Sequence, residues 1–386
     1  DWFSFQESDL EIGFSNVNRY QKIDEALIAN PSFSPTTNAF SFRTSFTQGI
    51  FYSALEANYK SKDATLNRIT NAISNNFIND GSAIQLNLGI AKDGLGIDMT
   101  LRRTENMWFT SERIPEAIGL NQSSLDYFDK VINFTPALTK QHHSNLANIY
   151  VYQAQAGIEF KSNEIMKSGE TGGQIDVVYE FAKDTKLGGK YGTKVALNYA
   201  SWYNLPGTYR AVPSKYETNF FGVGEKYFSD FNLEVKKQFS ENTRASFLYV
   251  NQYYNKPWVE DASQDVNTHI FYSELIYNFT KSRSIRIDAE HMWADADFKN
   301  WMGGSLEYNF NEKFSLYTLD LVNYGNNKDS EEKKKHYLTV GGAYRKGTTR
   351  IALGYGRQRG GLVCVGGVCR FVPESTGISL SFNTAF

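Results

Sequence analysis

The chain has 386 residues, with 28 Phe, 24 Tyr and 6 Trp on a mean hydropathy of −0.46. So many aromatics on a hydrophilic average suit a barrel with an apolar belt outside and a polar lumen inside, while no run of about 18 apolar residues offers a transmembrane helix. A net charge of −2 argues against nucleic acid as a partner, and 2 Cys are too few for a disulfide-rich scaffold.

The chain opens at Asp1 without Met or a signal peptide, which reads as a processed or trimmed chain. Trp2, Phe3 and Phe5 lie near this start, and Trp108 and Phe109 form a second aromatic group. All five suit the core of a protein interface, or an ordinary membrane belt. Phe40–Thr47 and Ile50–Tyr59 read as one hairpin. Ile84–Ala91 and Leu95–Arg103 read as another, around the Asp93-Gly94 turn. Between them, Leu66, Ile69, Ile73 and Phe77 recur at helical spacing. Segments 61–82 and 104–147 are therefore expected to be irregular or partly helical inserts within a single barrel domain, 1–386.

From Asn148 onward the sequence is a meander of alternating segments. In Ile149–Phe160, Tyr150, Tyr152, Ala154, Ala156, Ile158 and Phe160 share one parity, against Gln153, Gln155 and Glu159. Gln174–Phe181 and the segments from Phe231, Ala245, Ile285 and Leu306 repeat the pattern. Short turns at Ser240-Glu241-Asn242, Lys281-Ser282-Arg283, Asn311-Glu312-Lys313 and Lys346-Gly347-Thr348 each follow closely on an aromatic. Longer connections fall between them, at Tyr203–Tyr227, Asn255–Asn267, Gly325–Lys335 and Gln358–Ser375. Thr376–Phe386 alternates to a terminal Phe, the pattern of a barrel-closing strand. One-short, one-long connections and about 14–16 strands predict an all-β, antiparallel, up-and-down outer-membrane barrel with a polar lumen. A soluble β-sandwich explains neither the loop alternation nor the aromatic turn flanks.

Catalytic and metal-binding patterns are sparse, and no cofactor is expected. His142 and His143 are neighbours, so on a strand they point apart; they read as solvent-exposed loop imidazoles. Gly188–Lys194 resembles a phosphate loop only superficially and reads as a turn. Lys328–Lys335 reads as an exposed loop tip. Arg286, Asp288 and Glu290 share a lumen face. Arg102 and Arg103 end a strand, and Arg345, Arg350, Arg357 and Arg359 gather near the C-terminal hairpin. Such lumen charges, with Arg350 among them, either pair with one another or select small solutes. Cys364 and Cys369 bracket Val-Gly-Gly-Val. That spacing fits a disulfide; a soft-metal dithiolate is the alternative but needs two further ligands.

The same stretch, C-V-G-G-V-C-R-x-V-P over Cys364–Pro373 and preceded by Gly361, resembles the C-terminal signature of an uncharacterised outer-membrane barrel family of Bacteroidota. One member of that family is the plug subunit of the type 9 secretion translocon. The resemblance covers the last thirty residues or so and implies a non-enzymatic subunit. It would dock on a large outer-membrane secretion barrel, lie in outer-membrane lipid and block the barrel's periplasmic mouth. A free-standing porin for small solutes is the alternative, and a hydrolase at the barrel rim ranks third.

Overall fold

The computed structural model describes residues 8–20, 34–67, 72–107, 109, 140, 142–160, 164–210, 215–260, 262–326, 335–365 and 368–384; within 64–78, at 160 and within 362–371 only the backbone is described. Sixteen strands form one antiparallel sheet in which every neighbour is also the next strand in the meander. They are β1 (Ser8–Tyr20), β2 (Thr36–Gln48), β3 (Phe51–Asn67), β4 (Ala72–Lys92), β5 (Leu95–Glu105), β8 (Gly169–Phe181), β9 (Thr193–Asn204), β12 (Lys226–Gln238), β13 (Thr243–Tyr254), β14 (Val266–Asn278), β15 (Ser284–Ala294), β16 (Trp301–Asn309), β17 (Phe314–Asn323), β18 (Thr339–Lys346), β19 (Thr349–Gln358) and β22 (Ser375–Asn383). Three small hairpins lie outside it: β6 (Glu159–Phe160) with β7 (Met166–Lys167), β10 (Gly207–Arg210) with β11 (Lys215–Thr218), and β20 (Gly361–Val365) with β21 (Val368–Val372).

The pleat sorts residues onto two faces, and the register keeps each set aligned across the sheet. On β13, Phe247 and Tyr249 face out, and Leu248, Val250, Gln252 and Tyr254 face in. Their cross-strand partners follow the same parity. Asn232 of β12 and Ile270 of β14 flank Val250 on the inside, while Leu233 and Phe271 flank Tyr249 on the outside. Ile378, Leu380 and Phe382 of β22 face out, and Ser379 and Ser381 take the inward register. The outer surface is thus a continuous belt of exposed aliphatic and aromatic side chains, the surface that a bilayer, rather than water, stabilises. Among the described residues no helix is long and apolar enough to cross a membrane.

Connections alternate as the sequence indicates. Asp93 and Gly94 both take positive φ, 44° and 83°, as a type I′ two-residue hairpin turn requires. Residues 49–50, 239–242, 279–283, 310–313 and 347–348 close other short turns at the same end, which also carries the longer 182–192 connection, and the remaining long connections gather at the opposite end.

The sheet curls, as contacts made by a single internal segment require. Tyr152 donates a hydrogen bond to Glu170 of β8, and the Asn148 carbonyl accepts one from Arg359, one residue beyond β19. β8 and β19 are nine steps apart in strand order. A flat sheet would separate them by about 43 Å at ~4.8 Å per step, whereas four residues of chain reach no more than about 14 Å. A wall wrapped around residues 142–156 brings both contacts within reach of that short segment.

Three expectations are corrected. Residues 61–67 and 72–82 are not an insert: β3 and β4 run on through them as a ladder, with register shifts after Lys60 and Ala64 absorbing the irregular spacing, while 68–71 lie outside the described residues. Apolar periodicity yields here to a hairpin already in register on both sides. Ile149–Phe160 is not a wall strand. Its alternation places Tyr150 and Tyr152 against the inner wall, and only Glu159–Phe160 pairs, with Met166–Lys167. In the 104–147 insert, 104–105 complete β5, and the described helical content is one 3-10 turn, Leu146–Asn148.

Candidate functional site: a strap across the lumen

Residues 142–156 cross the interior as a strap held by three wall carboxylates. Asp230 of β12 bonds His142 Nε2 at 2.9 Å and also accepts from Gln252 and Asn232. Glu290 of β15 accepts from Ser144 Oγ at 2.6 Å, from Asn145 Nδ2 at 3.1 Å and from the Leu146 N–H at 3.2 Å. Glu170 of β8 accepts from the Tyr152 hydroxyl at 2.5 Å and the Gln155 N–H at 2.7 Å, and forms an ion pair with Arg102 of β5. The Arg102 guanidinium also lies 4.7 Å above the Trp202 ring. Lys140 Nζ reaches Asn232 at 3.1 Å. Each carboxylate is buried and multiply hydrogen-bonded, the condition under which a charge is tolerated away from water.

Apolar packing supplies the rest. Leu146, Ala147, Ile149, Tyr150 and Tyr152 join Trp202, Phe228, Leu248, Val250, Tyr254, Ile270 and Met292 in one buried cluster. Tyr152 stacks on Phe228 with ring centroids 5.2 Å apart, and Tyr150 lies 6.2 Å from Tyr254. Burial, and then the anionic Glu170 beside it, pushes the Tyr152 hydroxyl well above the ordinary phenol range. Tyr152 is a fixed neutral donor. Burial likewise raises Tyr150, with Asp297 adding to the effect.

A second filling lies nearer the first strands. Arg19 of β1 pairs with Asp63 at 2.6 Å and donates to Thr37 at 3.0 Å, with its guanidinium 4.9 Å above the Phe109 ring. Phe109 is fully buried, so it packs inside the barrel and is not the exposed interface residue its sequence context suggests. Trp2, Phe3, Phe5 and Trp108 lie outside the described residues.

Of the expected lumen charges, Arg286, Asp288 and Glu290 do share the inner face, with divided roles. Arg286 pairs with Glu274 at 2.6 Å, Asp288 holds Ser305, and Glu290 holds the strap. Arg350 lies opposite Arg345 at the short-turn end. It is remote from Arg357 and Arg359 at the other end of β19, so those four arginines form two groups and not one. Arg102 and Arg103 point to opposite faces. His142 is buried against Asp230, which overturns its reading as an exposed loop imidazole; His143 is exposed. Sequence reading missed Glu170, Asp230 and the strap itself. The available signal was on β13, where Leu248 and Val250 are apolar at inward positions, marking an inner wall covered by protein.

Among the described residues no three His, Cys, Asp or Glu side chains converge as a metal site. His142 and Ser144 do not bond to each other. The Ser144 hydroxyl is directed to Glu290, so this pair is arranged for anchoring and not for attack on a substrate. The register places Cys364 opposite Cys369, while their side chains lie outside the described residues, as does most of Lys328–Lys335.

A family match described as a family of unknown function, DUF6029, extends over residues 1–386. The chain belongs to DUF6029. No curated protein matches it. Among solved structures it is similar to a multiply substituted Rhodopseudomonas blastica porin at 8% identity and TM-score 0.36, covering 98% of this chain and 100% of the porin. A triple mutant of the same porin gives 8% identity and 0.34 over 96% and 99% of the two chains. A chain described under asymmetric conductivity of engineered proteins gives 9% and 0.33 over 91% and 94%.

Proposed function

We propose that this DUF6029 protein is a non-enzymatic, porin-like barrel of the bacterial outer membrane whose lumen is narrowed by its own strap. The observation that carries this reading is the triple anchorage of residues 142–156 to Asp230, Glu290 and Glu170, inside a wall whose outer face is apolar. Small solutes would pass only around the strap or after its displacement. The test is conductance of the purified chain in a planar bilayer. Low basal conductance that rises when Tyr152, Ser144 and His142 are replaced together by Ala supports the reading. Large steady conductance of the unaltered protein overturns the narrowing.

A second reading follows from the same filled lumen joined to the C-terminal resemblance: a subunit that docks on a type 9 secretion translocon and blocks its periplasmic mouth. A barrel packed with buried aromatics and ion pairs suits a blocking body as well as a narrowed pore. Mild-detergent purification from native membranes separates the two readings. Stoichiometric recovery of a giant outer-membrane barrel supports docking; recovery of this chain alone supports the free-standing porin. We also propose that Cys364 and Cys369 form a disulfide pinning the last long loop, checked by a two-dalton mass difference on reduction.

A further inference from the structure

The barrel carries a groove on its outside. Outward side chains of β5, β8 and β9, among them Met99, Leu101, Ile175 and Tyr199, form its floor. The loop after β9 folds over them and brings Phe220, Phe221 and Val223 to the opposite side. Position 173, where an outward side chain would stand between Leu101 and Ser201, is Gly. The cavity measures about 600 Å³, within the range of roughly 300–1,000 Å³ typical of ligand pockets.

The flap is fixed in place. The Asn219 N–H donates to the Pro206 carbonyl at 2.8 Å, and the Gly224 N–H to the Asn204 carbonyl at 3.0 Å. Arg103, facing out, ties it to the wall: it donates to Thr218 at 2.7 Å, pairs with Glu105 at 2.5 Å and lies 4.8 Å above the Phe220 ring. Phe221 nonetheless stays 90% exposed, with Val223 and Phe220 also prominently exposed. Three apolar side chains on an anchored long loop are costly in water and favourable against hydrocarbon.

We infer that this groove holds one acyl chain of a lipid from the leaflet on the long-loop side, clamped between the wall and the Phe220–Val223 flap. The inference rests on the outward face being the lipid-facing one. Continuity with that belt selects the occupant, since Met99, Leu101, Ile175 and Tyr199 belong to the outward register of the membrane-facing strands. Length agrees. From Met99 to Arg103 the groove rises about 13 Å at ~3.3 Å per residue, close to half of a hydrocarbon core of about 30 Å. Arg103 and Glu105 close its end at the strand rim, where a headgroup would meet water.

The experiment uses the full chain reconstituted in phosphatidylglycerol vesicles, then exchanged into lipid-free detergent and weighed by native mass spectrometry. One retained lipid per chain is expected. Met99→Trp fills the groove, and Phe221→Ser removes the clamp at a position 90% exposed in the protein. Each should lower retention by at least about tenfold, because every lost methylene contact weakens binding several-fold. Heat-dependent gel mobility checks that each variant is folded, and Phe221→Ser carries the test should Met99→Trp fail to fold. Equal retention by the parent and the folded variants overturns the proposal, as does a cysteine cross-link from position 221 that captures a second copy of the chain in place of lipid. Failure of the chain to float with vesicles at all would overturn the membrane reading itself, an outcome distinct from floating without a retained lipid.

Discussion

Glu170 concentrates the chemistry of the lumen in one residue. Its carboxylate is completely buried and serves Arg102, the Tyr152 hydroxyl and the Gln155 N–H together. Glu170→Gln removes the carboxylate charge that faces the buried Arg102 guanidinium, a change that costs about 3–5 kcal/mol in comparable pairs. The expected outcome is a clear fall in the temperature at which the heat-modifiable gel band converts to its unfolded position. Joint replacement of Arg102 and Glu170 by Met should cost less than the sum of the single changes, because no lone charge is left behind. An additive result would show that the pair does not act as a unit. The inward face of Glu290 was legible from the parity of Arg286, Asp288 and Glu290. Its work was not legible, because the groups it binds lie 144–146 residues away in sequence. Periodicity reports the face of a strand but not what lies against that face.

The strap shows the same limit for a whole element. Ile149–Phe160 alternates like a strand because Tyr150 and Tyr152 must meet an inner wall and their neighbours must not, and alternation does not reveal whether the apolar face meets lipid or protein. Hydrogen bonding separates the cases, since 149–158 has no ladder partner among the described residues. At the outer rim a lighter clamp joins two loops. Glu374, between β21 and β22, binds Arg357 and also Lys335, at 3.4 Å, and accepts from the Tyr337 hydroxyl at 3.3 Å. The Arg357 hydrogen bond and charge, with Lys335, hold its carboxyl below the ordinary value of 4.5. A carboxylate depressed in the folded state contributes stability that is fully present above its unfolded pKa and is lost as pH falls through the lower folded one. Hydrogen exchange at 335–338, corrected for intrinsic rate, should therefore accelerate below pH 4.5. The change will be small, because the pair is solvent-screened. Glu374→Gln should make the loop fast at every pH. A variant that keeps the pH dependence would assign it to another group.

At the scale of the whole molecule, strand number was legible within the 14–16 expected, because each wall strand brings its own alternation and its own turn. The 16 observed include the upper parts of β3 and β4, which apolar spacing disguised as helix. Local pattern could not decide the ends of the sheet. β1 and β22 stand first and last in strand order, each with outward apolar side chains, such as Phe14 and Leu380; the inward side chains are small and polar on β22 but include Glu11 and Arg19 on β1. An edge within hydrocarbon leaves backbone N–H and C=O groups unsatisfied at several kcal/mol each, so a barrel in lipid must pair these two strands. The expected outcome in vesicles is amide exchange at Leu10–Val17 and Gly377–Ser381 as slow as on β12 and β13, which have neighbours on both sides. The same residues should exchange fast in a detergent that opens the seam. Slow exchange in vesicles of this chain alone means that the wall closes on itself and the free-standing barrel is complete. Fast exchange there, slowed only when a partner is added, means that the seam is an edge reserved for another protein's strand, and the balance would move to docking.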